Sequence, residues 1–130
     1  MQVVKLRPFK ISSYLSYLLP LALAAYFNQR GFAAIILFTV GVGFWYHWSG
    51  EREEYVVLDG FAALLLAFAD AALLFLANFS EPYLVLALAL LLVGIFYYIV
   101  AQKRHYSWNH GMWHVCGALI TLLCVLAYAL

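Results

Sequence analysis

Long apolar stretches fill this chain almost end to end, and only short polar connectors separate them. Five such stretches cover about residues 11–28, 31–48, 55–79, 82–101 and 106–130. Roughly 20 apolar residues in a helix match the hydrocarbon thickness of a bilayer. Of the 130 residues, 68% are apolar and 10% are charged. A soluble domain of that size has too little interior to bury so much apolar surface. In lipid the backbone polar groups of each span must be satisfied within it, which selects helix. The stretches therefore predict an all-α fold, a polytopic integral membrane bundle of five transmembrane helices in one domain over residues 1–130. The first stretch lacks a small-residue cleavage site and four others follow it, so it reads as a span and not as a cleaved leader.

The connectors carry the turn chemistry. Asn28, Gln29, Arg30 and Gly31 form a helix end and a turn. Ser80, Glu81 and Pro82 read as a helix start with a serine cap. The connector 49–54 is acidic, and 102–105 is basic. With five spans, Lys5, Arg7, Lys10, Arg52, Lys103 and Arg104 fall on one membrane side and Arg30 on the other. The positive-inside rule then puts the N-terminus in the cytoplasm and the C-terminus outside. In a bacterium this would be the cytoplasmic membrane. A formal net charge of +1 gives no basis for a nucleic-acid partner. Membrane lipids are the expected ligands or substrates, and self-association into a homo-oligomer stays open.

Against this apolar background a few ionisable residues stand out. His110 and His114 are four apart at the start of the last span, a spacing that stacks both imidazoles on one helix face. His47 closes the second span, and Asp59 lies about one turn into the third. Alternating span direction brings all four to the same membrane side. Ionisable groups are costly in hydrocarbon and mark functional sites there. Three histidines suit zinc and leave a fourth tetrahedral position for water or substrate. Zinc lowers the pKa of such a water and polarises a carbonyl. Asp59 could orient that water or take its proton, or it could fix a histidine tautomer from behind.

The segments FWYHW (His47), YVVLDGFAAL (Asp59) and HGMWHVCGAL (His110, His114) resemble the CREST superfamily of membrane hydrolases. That group includes alkaline ceramidases, adiponectin/progestin-type receptors, GPI-anchor lipid-remodelling enzymes and myomaker-like proteins. The similarity covers about residues 41–64 and 106–127. It implies zinc held by the three histidines, with Asp59 nearby, and hydrolysis of a lipid amide or ester. Two features depart from the family pattern. Members usually have seven spans, and Gly43 stands where they carry a serine one turn before the histidine; Ser49 and Ser107 are the candidate replacements. Two alternatives remain, a non-catalytic protein stabilised by its metal and a haem-binding membrane protein.

Other residues have simpler readings. Asp70, mid-span and eleven residues after Asp59, either lines a pocket with Gly43 and Ser107 or is a protonated acid bonded to a neighbouring helix. Glu51, Glu53 and Glu54 read as a solvated loop, and His105 as a headgroup-facing residue. Cys116 and Cys124, eight apart, are too distant for a disulfide on one helix and read as packing residues. The tryptophans at 45, 48, 108 and 113 suit an interfacial belt.

Overall fold

The computed structural model describes residues 8–130 and is entirely helical, with no strand among them. A first rod comprises α1 (Phe9–Ser12), a 3₁₀ segment (Ser13–Tyr17) and α2 (Leu18–Tyr26), which follow one another directly. Then come α3 (Arg30–Trp48), α4 (Glu53–Leu76), α5 (Tyr83–Ile99), a 3₁₀ turn (Ala101–Lys103) and α6 (Tyr106–Ala129). These five rods follow the five apolar stretches closely. Four helices, Arg30–Trp48, Glu53–Leu76, Tyr83–Lys103 and Tyr106–Ala129, are each long and apolar enough to cross a membrane. The first stretch differs, because it is broken in the middle and no single helix in it reaches that length.

The break has a local cause. Pro20 has no N–H to give the carbonyl four residues back, and its ring crowds that carbonyl. The preceding turn tightens to 3₁₀. Ser13 and Ser16 hydroxyls donate to the carbonyls of Lys10 and Ser13, at 3.3 and 2.6 Å. Such bonds compete with the helical ladder.

The first rod, α3, α4 and α6 form a ring in which each packs on the next, and α5 leans on α6 from outside. Gly94 allows the close approach of α5, since a Cβ there would stand 3.1 Å from Trp113 and 3.2 Å from Cys116. The ring interior holds Tyr14, Tyr17, Ile36, Leu66, Leu73, Cys124 and Val125. It also holds the polar residues Ser13, Thr39, His47, Asp70, His114 and Thr121. The outward faces are apolar, for example Leu64, Phe68 and Phe75 on α4 and Leu92 and Phe96 on α5. Polar groups inside and apolar groups outside are what an apolar solvent demands.

Connections are short and end in left-handed residues. After α2, Asn28 has φ of 60° and Gln29 N–H reaches back to the Ala24 carbonyl at 2.8 Å. This is the hydrogen-bond pattern of a Schellman cap. The serine cap expected at α5 is not made. The helix begins later, at Tyr83, and the Ser80 hydroxyl is buried without a partner. Asp70 follows the plainer of its two readings, accepting a hydrogen bond from Thr121 Oγ1 of α6 at 3.1 Å. Cys116 and Cys124 are both free and buried.

Two glycines test this packing in opposite directions. Gly94→Val should detach α5 and cost about 1–3 kcal/mol by overpacking. Gly60 on α4 faces open space, so Gly60→Ala should be neutral or stabilise by up to about 1 kcal/mol. Unfolding in detergent followed by circular dichroism reads both.

Candidate metal centre

Helix ends build this site. α3 ends at Trp48, and Gly50 and Glu51 follow with φ of 88° and 59°. Glu51 N–H bonds the Tyr46 carbonyl at 2.9 Å, and Gly50 N–H bonds that of His47 at 3.3 Å. This reversal folds Glu51 back onto the helix it has just left. A non-glycine residue at positive φ is strained, and such strain tends to collect at functional sites. The solvated-loop reading therefore fails for Glu51. Its Oε1 accepts from His47 Nδ1 at 2.8 Å, Lys10 Nζ at 2.9 Å and Tyr106 OH at 2.9 Å. Burial alone would raise the Glu51 pKa, but these hydrogen bonds and the Lys10 charge outweigh it and hold the pKa down at about 2. Glu51 is thus an anion at neutral pH.

The structure brings His47, His110 and His114 together. One ring nitrogen from each lies within 4.8 Å of the others. The ring centroids are 4.9 Å apart for 47 and 110, 5.3 Å for 47 and 114, and 4.7 Å for 110 and 114. His47 and His114 are buried and His110 is half-buried.

Each Nδ1 already has a partner. An ionised carboxylate only accepts, so His47 Nδ1 carries its hydrogen toward Glu51. The Gln102 carbonyl Oε1, 3.0 Å from His110 Nδ1, likewise only accepts. Ser13 Oγ lies 2.9 Å from His114 Nδ1 and accepts from it when its own hydrogen goes to the Lys10 carbonyl at 3.3 Å. His47 and His110 in these tautomers present an unprotonated Nε2, as does His114 when Ser13 accepts from its Nδ1. That of His47 is buried with no hydrogen-bond partner among the described residues. Metal-bound histidines are characteristically oriented in this way, by donating the second ring N–H to a protein acceptor. The donor set fits a divalent ion such as zinc.

Asp59 sits half-buried near the start of α4, close enough to His47 to act on it electrostatically. None of the three Nδ1 atoms uses it. The serine that reaches the cluster is Ser13, from the first rod, 101 residues before its partner. Ser49 bonds the Tyr46 carbonyl instead, at 2.9 Å. Ser107 is half-buried and makes no hydrogen bond among the described residues. At Gly43 the ring of Tyr14 fills the space where a side chain would be, and a Cβ there would stand 2.6 Å from Tyr14 Cζ. Tyr14 lies over His114 with centroids 4.2 Å apart. On the far side Tyr98 of α5 is 5.9 Å from the His110 ring. Of the cations that set the expected topology, Lys5 and Arg7 lie outside the described residues, whereas Lys10 is part of the site.

No family model matches the chain, and neither a curated protein nor a solved structure matches it.

Ser13, Gln102 and Glu51 hold the rings through Nδ1. Ser13→Ala, Gln102→Ala and Glu51→Ala should each weaken metal affinity by about 10–100-fold without abolishing it. Competition with a chelator measures this. Loss of all metal in any one of them would assign that residue a direct ligand role.

Proposed function

We propose that this chain is a zinc-dependent intramembrane hydrolase that cleaves an amide or ester bond of a lipid, in the manner of a ceramidase. One observation carries the proposal. Three imidazoles, two buried and one half-buried, each with its Nδ1 hydrogen-bonded, bring one nitrogen apiece within 4.8 Å of the others at the end of an apolar-surfaced bundle. Three neutral nitrogens leave an open position, which is the ligand count of a catalytic zinc site. Bound zinc would supply Lewis acidity to a scissile carbonyl and acidify a water molecule.

The chain's own residues supply the rest. Asp59 is the candidate general base, because the tautomer-fixing role is filled by Glu51, Gln102 and Ser13, and its carboxylate makes no hydrogen bond among the described residues. The outward apolar faces fit a bundle in a bilayer, with the histidine end at the cytoplasmic surface by the distribution of Lys and Arg. A lipid would then meet the site with its polar linkage at the interface and its chains in hydrocarbon. The chain's resemblance to CREST hydrolases in the three histidine and aspartate segments supports the same reaction class.

A second reading rests on the first rod. Its contacts with the centre, Ser13 to His114 and Lys10 to Glu51, would let a metal clamp the rod to α3 and α6 without any catalysis. In that case chelation unfolds the bundle and no lipid turns over. Haem is disfavoured, since ring centroids 4.7–5.3 Å apart leave no room for a macrocycle between any two of them.

Elemental analysis beside lipid turnover tests the proposal. The wild type should carry about one zinc per chain, and the His110→Ala, His114→Ala double variant should carry none. Asp59→Ala should keep its zinc and lose about 100-fold or more in rate, as for removal of a general base. If Asp59→Ala also loses zinc, the residue is structural. Asp70→Asn should leave metal content unchanged, because its partner is Thr121 and not a histidine.

A further inference from the structure

Tyr14 has a placement that packing alone does not explain. Its side chain is 8% exposed, and its ring lies against His114 and 6.0 Å from His47. Its phenolic end points at α3 just where α3 has no side chain. A Cβ on Gly43 would overlap the Tyr14 hydroxyl oxygen. Gly43 is one turn before His47 and on the same helix face. The ring therefore lies near two of the three histidines, with its hydroxyl against the helix face that carries His47. Asp59 and Glu51 are both electrostatic neighbours of it. It makes no hydrogen bond among the described residues, so its hydrogen is free for a ligand.

We propose that the Tyr14 hydroxyl is the hydrogen-bond donor to the scissile carbonyl oxygen as that oxygen gains negative charge, and that Gly43 is glycine to admit it. The inference rests on the hydrolase reading above. A phenol donates one hydrogen along a fixed direction set by its ring. Here the ring is held by His114 on one side and by α3 on the other, so the donor is in place before the substrate arrives. Preorganised donors of this kind stabilise developing charge strongly, because no reorientation is needed during reaction. No proton is transferred, and the donor keeps its hydrogen throughout. Ser13 is already engaged, 3.3 Å from the Lys10 carbonyl oxygen and 2.9 Å from His114 Nδ1.

Tyr14→Phe removes one oxygen and keeps the ring, so the stack on His114 survives. Zinc content and thermal stability should match the wild type. Turnover number should fall about 100–1,000-fold with little change in KM, as for other lost oxyanion donors. A second readout needs no turnover. A long-chain phosphonate, whose tetrahedral anionic oxygens mimic the charged carbonyl oxygen, should bind the zinc-loaded variant at least about tenfold more weakly by calorimetry. Equal phosphonate affinity in the two proteins would overturn the inference, as would loss of zinc from the variant, which would make Tyr14 a structural support. If the wild type hydrolyses no lipid but still binds phosphonate more tightly than the variant does, the donor stands and the hydrolase reading falls.

Discussion

An imidazole buried among helices has little water to satisfy its second nitrogen. Burying an unpaired polar group carries a large penalty, so each ring here needs a protein partner for Nδ1. Glu51, Gln102 and Ser13 provide those partners from three different parts of the chain. Much else in the site follows from this pairing. It orients the rings and pins the turns that carry the partners. The left-handed backbone at Gly50 and Glu51 is the local strain that the pairing maintains. Lys10 and Tyr106 then hold the Glu51 charge that makes the arrangement stable.

The first rod is the least regular element and contributes the most varied chemistry. Pro20 and two serines loosen its helix, and the loosened turn starts at Ser13 and Tyr14. Both reach the histidine centre. Further along, Tyr17 packs its hydroxyl against Gly117 of α6. The rod is thus tied to α6 by the Ser13–His114 hydrogen bond and the packing of Tyr17, while its outward residues Leu15, Leu18 and Leu19 stay apolar and exposed. α5 shows the opposite design. It packs along α6, closely at Gly94, and most of its surface faces outward.

The helical architecture was legible because length and hydrophobicity alone fix it in an apolar solvent. The histidine cluster was legible for a related reason, since helix ends alternate sides and parity places His47 beside His110 and His114. The supporting residues were harder to see. Glu51 is four residues from His47, but a helix end lies between them, and only Gly50 at the reversal hints that the chain turns back. Ser13 and Tyr14 meet the site across about a hundred residues, and no local pattern encodes that meeting. A weaker signal was present in the spacing of Ser13, Tyr14 and Tyr17, which puts one polar face on an otherwise apolar rod. A side chain at position 43 would meet Tyr14, because the space beside Gly43 is filled from the first rod.

The claim on which the account depends is that three imidazoles share one ion. X-ray absorption at the zinc edge, on the protein purified in detergent and loaded with one equivalent, addresses it directly. The account predicts a low-coordinate shell of nitrogen and oxygen at about 2.0 Å with outer-shell scattering from three imidazole rings. A shell containing sulfur, or scattering from fewer than two imidazoles, would contradict it.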